Sequence, residues 1–127
     1  MIVEILPDKA SLGSRAAADG AETIRAAVAA KGEATIVVAT GASQFEMLDA
    51  LVGEPGIDWS KVTAFHLDEY VGLPETHPAS FRRYLQDRFV SRVPGLGRFV
   101  PVNGDAADLD GEVARLNTLL DPREVDV

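Results

Sequence analysis

The sequence predicts an α/β domain in which an open parallel sheet carries helices on both faces. Three observations lead there. Segments with strand and helix patterns alternate strictly along the chain, the order that right-handed crossovers turn into a parallel sheet. The run ATIVVA at 34–39 is apolar without alternation, as suits a strand covered on both faces. A chain of 127 residues, 46% hydrophobic and 25% charged, is large enough for one domain with a sizeable core and lacks the polar bias of a disordered segment.

At the amino end, IVEIL (2–6) reads as a short strand ended by Pro7, which offers no amide to a ladder. In SRAAADGAETIRAAVAAKG, apolar residues recur at Ala17, Ala21, Ile24 and Val28, the spacing of one helical face, and Lys31-Gly32 is a stop signal. After the strand at 34–39, TGAS (40–43) is a turn. SQFEMLDALVG then predicts a helix with Phe45, Leu48 and Leu51 or Val52 inward, broken by Gly53 and Pro55. KVTAFHL (61–67) is the third strand. Thr76 or His77 can cap a helix starting near Pro78, with Phe81, Tyr84, Leu85 and Phe89 as its apolar face. Arg82, Arg83, Arg88 and Arg92 read as that helix's solvated face. RFVPV (98–102) is a fourth strand, and Leu109, Val113, Leu116 and Leu120 mark the inward face of a last helix. At EVDV, Val125 and Val127 read as the start of a fifth strand, so residues 1–127 are expected to be the N-terminal part of one domain.

Charge and composition narrow the function. Twelve basic against twenty acidic residues give a net charge of −8, which repels phosphate backbones and anionic membrane surfaces. No nucleic-acid or membrane partner is expected. With no cysteine, disulfides, thiolate zinc sites and sulfur redox chemistry are excluded, and the cytoplasm is the default compartment. The acidic amino end and its short apolar run do not fit a signal peptide, and no stretch is apolar enough to span a bilayer.

Two loops could carry chemistry. TGAS lies between a buried strand and a helix start, where unpaired amides favour an anion, and the hydroxyls of Thr40 and Ser43 can donate to phosphate oxygens. Ser43 can equally be an ordinary N-cap and Gly41 an ordinary turn residue. No GK[ST] follows, so this is not a Walker loop. In FHLDEY (65–70), alternation sends His66 and Asp68 one way and Glu69 the other. Asp68 and Glu69 are therefore not expected to act as a paired acid and base. The two histidines, His66 and His77, lack metal-ligand spacing, and no metal site is expected. His66 reads as an imidazole hydrogen-bonded within the sheet; Tyr70 and His77 read as entrance, packing or capping residues. The pattern leaves Asp68 open between a hydrated strand end and a working carboxylate.

VATGASQFEML, WSKVTAFHLDEYVGLPETHPASFRRYL and VNGDAADLDGEVARLN together resemble the glucosamine-6-phosphate deaminase family, whose members carry a TGGTP-like phosphate loop, an F-H-M-D-E-Y-V-G-L segment and H-P-x-S-Y. The related 6-phosphogluconolactonases typically have D-E-R where this chain has DEY. The resemblance implies a Rossmann-like fold of which these residues are the N-terminal half, acting without metal or organic cofactor on a small-molecule amino-sugar phosphate. It implies isomerisation and deamination of glucosamine 6-phosphate to fructose 6-phosphate and ammonia, in amino-sugar catabolism. Asp68 then maps onto the base that moves the proton during enolisation, and Thr40, Gly41, Ala42 and Ser43 onto the phosphate loop. Ala42 stands where the family has glycine and Gln44 where it has proline. The family's ring-opening histidine segment, G-H-I-A-F-N, is not found in residues 1–127, so these residues alone are not expected to be active. A homo-oligomer stays open, as do two alternatives: a 6-phosphogluconolactonase-like hydrolase and a non-catalytic sugar-phosphate-binding module.

Overall fold

The computed structural model describes residues 2–127. Its elements, in chain order, are α1 (Lys9–Lys31), β1 (Ala34–Val38), α2 (Phe45–Leu51), β2 (Val62–His66), α3 (Phe81–Arg88), β3 (Arg98–Val100) and α4 (Leu109–Leu120). The three strands are parallel in the order β1-β2-β3, with Ala34 opposite Val62, Val38 opposite His66 and Phe65 opposite Val100.

The expected alternation holds except at the amino end. Residues 2–6 form no strand, and Ile2, Val3 and Ile5 stand exposed. The outer edge of β1 is already occupied: Asp126 N donates to Thr35 O, and Val37 N to Val127 O, each at 2.8 Å. Thus Val125–Val127 lie along β1 as the expected fifth strand would, without forming a regular one. α1 starts earlier than its apolar spacing suggests, because the Asp8 carboxylate accepts from Ser11 N at 2.7 Å and caps it. Gly32 closes it in the left-handed conformation (φ 81°) that favours glycine.

Ala17, Ala21 and Ile24 of α1 join Ile36, Leu48, Val62, Leu85 and Phe89 in one buried cluster that covers one sheet face. Each large side chain there contributes about 1.5–3 kcal/mol by leaving water. Phe65 and Val100 are buried outside this cluster and, by register, point to the opposite face. A right-handed return from β3 to the far side of β1 runs over that face. In agreement, Arg123, just past α4, donates to Thr35 Oγ1 at 3.5 Å, and Thr35 shares Phe65's face.

Two helix faces differ from expectation. In α4, Leu109 and Val113 are exposed, Leu116 and Leu120 half-buried, and Glu112 is the buried residue. Its carboxylate is drawn inward by Asn103 N (2.8 Å) and by the Arg115 guanidinium (2.6 and 2.7 Å), and the helix turns with it. α3 begins at Phe81, not near Pro78, with Ser80 as its cap. Arg82 is not on a solvated face: it is 5% exposed. Of the other three arginines, Arg83 and Arg92 are solvated and paired to Asp87 and Asp49, while Arg88 lies half-buried over the Phe45 ring, 3.8 Å from its centroid. Among the described residues no helix is long and apolar enough to cross a membrane.

Candidate functional site

Parallel pairing puts the ends of β1 and β2 side by side. Val38 faces His66 in the last pair, and Leu67 N donates to Val38 O at 3.1 Å. Thr40 and Asp68 each follow two residues later, on strands about 4.8 Å apart. The two loops singled out from sequence therefore leave the same end of the sheet as neighbours. This end is also where the topology reverses: β2 and β3 lie to one side of β1, while residues 126 and 127 return to the other. Open α/β sheets bind ligands beyond the carboxyl ends of the strands at such a reversal.

The first loop is a tight turn. Gly41 has φ 109° and ψ 167°, a conformation that L side chains rarely adopt, and Ala42–Gln44 form a single 3-10 turn before α2. The Gly41 carbonyl accepts from Gln44 N and from Tyr84 Oη, both at 3.0 Å. Ser43 does not cap α2: the cap position is Gln44, without a side-chain cap bond. The Ser43 hydroxyl is exposed and accepts from Gln44 Nε2 at 3.3 Å. Thr40 and Gly41 are half-buried, Ala42 and Ser43 exposed. A cavity of about 730 Å³ opens beside the loop, between α1, β1 and α2. Ala42, Ser43 and Gln44 form part of its rim, but its walls are mostly apolar and do not include Asp68. It lies to one side of the space between the two loops.

In the second loop the three ionisable groups of FHLDEY take separate roles. Glu69 turns inward, and its side chain is fully buried. It accepts from the amides of Tyr70 (2.9 Å), Phe81 (3.0 Å) and Arg82 (2.9 Å), from Ser80 Oγ (2.8 Å) and from Arg82 Nε (3.3 Å). It thus satisfies the first two amides of α3, while the Ser80 hydroxyl accepts from the third, Arg83 N, at 3.4 Å. Burial pushes the carboxyl up, but the bonds from Arg82, Phe81, Tyr70 and Ser80 outweigh it and hold the group down at about 2. Arg82 completes the anchor by donating to Leu73 O (2.9 Å) and pairing with Asp105 (2.8 Å).

Asp68 is exposed, with no hydrogen bond or ion pair among the described residues. Its backbone is held on both sides, by Leu67 N on Val38 and by the Glu69 carboxylate. His66 is 4% exposed; its Nδ1 accepts from Val102 N at 3.4 Å, which leaves the proton of the neutral ring on Nε2, where it meets no partner. Burial lowers its pKa, with the nearby Glu69 and Asp68 charges opposing. Tyr70 packs on Phe81 (centroids 4.8 Å apart), and His77 Nδ1 accepts from Ala79 N at 3.1 Å within its own turn. No group of three metal-ligating side chains occurs among the described residues.

The structure adds Glu69, Arg82 and Tyr84 to the site's framework. None had a local sequence signal, because each acts on residues 9 to 43 positions away.

A parallel α/β sheet with a tight glycine turn and an exposed carboxylate side by side at its reversal defines the class: an open α/β fold of the kind that binds ligands beyond the carboxyl ends of its strands. The chain belongs to the family described as glucosamine-6-phosphate isomerases/6-phosphogluconolactonase, whose model matches residues 7–125. It is 41% identical over 98 residues to a glucosamine-6-phosphate deaminase of Streptococcus sanguinis, covering 77% of this chain and 41% of that protein. To the glucosamine-6-phosphate deaminase of an Arthrobacter species it is 39% identical over 113 residues, 86% of this chain and 42% of the other. The chain therefore spans about two fifths of the length of these relatives. Among solved structures, a monomeric glucosamine-6-phosphate deaminase superposes with a TM-score of 0.81 at 28% identity, over 96% of this chain and 51% of that one. A 6-phosphogluconolactonase from Shewanella baltica shares the fold, with a TM-score of 0.79 at 23% identity over 94% of this chain and 52% of its own.

Proposed function

We propose that these residues are the N-terminal part of an enzyme that isomerises and deaminates glucosamine 6-phosphate, giving fructose 6-phosphate and ammonia. The observation that carries the reading is an exposed, unpaired carboxylate, Asp68, held beside the 40–43 turn at the reversal of the sheet. The phosphate would rest on the Thr40 and Ser43 hydroxyls and the exposed amides of Ala42 and Ser43. That anchor fixes the sugar so that C1 and C2 lie within reach of Asp68.

In the open-chain aldehyde, Asp68 takes the proton from C2, the C2–H electron pair becomes the C1–C2 double bond, and the carbonyl electrons move onto O1, which takes a proton given up by the C2 ammonium, leaving the enolamine. Returning the proton to C1 leaves an imine at C2. Water adds to that imine and ammonia departs, so carbon, nitrogen and protons balance without an oxidant. A positioned carboxylate suits this shuttle because it accepts and returns the same proton. No metal or organic cofactor enters the scheme. A cytoplasmic setting goes with it, since a phosphorylated sugar does not cross a bilayer unaided.

The reading is tested with the full-length protein, by measuring ammonia release from hexosamine phosphates beside hydrolysis of 6-phosphogluconolactone. Ammonia release without lactone hydrolysis is expected; the reverse would assign the lactonase activity instead. Ser43→Ala should weaken a phosphorylated sugar by about 1.5–3 kcal/mol, the worth of a hydrogen bond to a charged group, and its unphosphorylated analogue far less. Equal weakening of both would remove Ser43 from the phosphate site.

A further inference from the structure

We propose that Tyr84 is a positioning residue for the phosphate-binding turn, an inference that rests on the proposed reading of residues 40–43. The Tyr84 hydroxyl donates to the Gly41 carbonyl at 3.0 Å, across 43 positions of sequence. In a trans peptide the C=O and the following N–H point in opposite directions, and there is no cis peptide among the described residues. Drawing the Gly41 oxygen toward α3 therefore turns the Ala42 N–H away from it, toward the exposed side of the turn where an anion would sit.

This restraint is needed because glycine itself leaves the peptide free to rotate. Among the described residues two donors set it, Gln44 N and Tyr84 Oη. Tyr84 is well placed to hold a fixed position. Its ring stacks on Phe45 with centroids 5.7 Å apart and planes 21° from parallel. The Arg88 guanidinium lies 3.8 Å from the Phe45 centroid and 5.5 Å from that of Tyr84. Burial raises the phenol's pKa, so the hydroxyl keeps its proton and remains a donor at neutral pH.

The same helix holds the other loop. Glu69, one residue after Asp68, is bonded to the first amides of α3, and Tyr84 N donates to Ser80 O at 3.1 Å one turn on. α3 is thus the common support for both loops: its first turn carries the Asp68 segment, its second carries the turn at 40–43. Tyr84 sets the direction in which the Ala42 N–H meets the phosphate, and so how tightly the phosphate is held, without touching either reacting carbon.

The test is Tyr84→Phe in the full-length protein, which keeps the ring stack and removes only the hydroxyl. Loss of one neutral hydrogen bond corresponds to ~3- to 10-fold in affinity. The inhibition constant of inorganic phosphate and the KM for glucosamine 6-phosphate should rise by that factor, with kcat at saturation and the affinity for unphosphorylated glucosamine nearly unchanged. Unchanged phosphate affinity overturns the proposal, and so does equal weakening of phosphorylated and unphosphorylated ligands with a lowered melting temperature. A wild-type protein that binds no phosphate overturns it as well. If the wild type binds phosphate but releases no ammonia, the activity reading fails alone, and the phosphate affinity of Tyr84→Phe still decides the role of Tyr84.

Discussion

Glu69 shows how much depends on one side chain. Residue alternation separates it correctly from Asp68, but its role is set by Ser80, Phe81 and Arg82, 11 to 13 positions on, across a loop without periodicity. Such a carboxylate cannot be told from a hydrated one by local pattern. Its physical signature is in acid. The folded group titrates at about 2 against an ordinary 4.5, so the stability it contributes is complete above pH 4.5 and is lost as pH falls through about 2. Glu112, held down at about 2 chiefly by Arg115 against burial, acts in the same window. His66, kept neutral by burial, adds a loss that begins as pH drops below 6.5. Glu69→Gln should cost about 3 kcal/mol at pH 7, since it leaves the Arg82 charge short of its buried partner. Denaturant midpoints measured from pH 7 to pH 2 should then fall less steeply in the variant than in the wild type. Parallel pH profiles would show that Glu69 is not the charged anchor described here.

Among the elements, the strand at 34–39 was legible because a strand covered on both faces must be continuously apolar, and those at 61–67 and 98–102 were legible as short runs rich in β-branched and aromatic residues. The segment 2–6 has a strand's composition but forms no strand, and the edge of β1 is taken by Asp126 and Val127. The α4 face was misread because the polar grip on Glu112 overrides the leucine spacing. Nor does helical periodicity reveal how closely α1 approaches α2. A Cβ built on Gly13 would lie 2.6 Å from Glu46 Cβ and 2.7 Å from Glu46 C, contacts that rigid backbone cannot relieve. Gly13→Ala gains about 1 kcal/mol of helix propensity but forces the helices apart, at about 1–3 kcal/mol for overpacking. The variant should therefore be less stable in equilibrium denaturation. Equal or greater stability would mean that α1 and α2 do not pack at this distance.

Across the whole molecule, the reversal of the sheet at β1 joins the fold to the chemistry. Parallel pairing of β1 and β2 brings TGAS and FHLDEY, 22 or more residues apart in sequence, to one end of two adjacent strands, and α3 ties both loops to one support. Motif resemblance in the sequence alone points to Asp68 and to residues 40–43; the shared support does not show there, because it is made by contacts between elements. In the proposed reaction, Asp68 moves the C2 proton of a sugar phosphate anchored on that turn. The most direct measurement is exchange of the C2 hydrogen of glucosamine 6-phosphate with deuterium from solvent, followed by NMR with the full-length protein and its Asp68→Asn variant. The amide keeps the shape of the side chain but cannot take the proton, so exchange should fall ~10²- to 10⁴-fold while sugar-phosphate binding is retained. Exchange at the wild-type rate in Asp68→Asn would contradict the account.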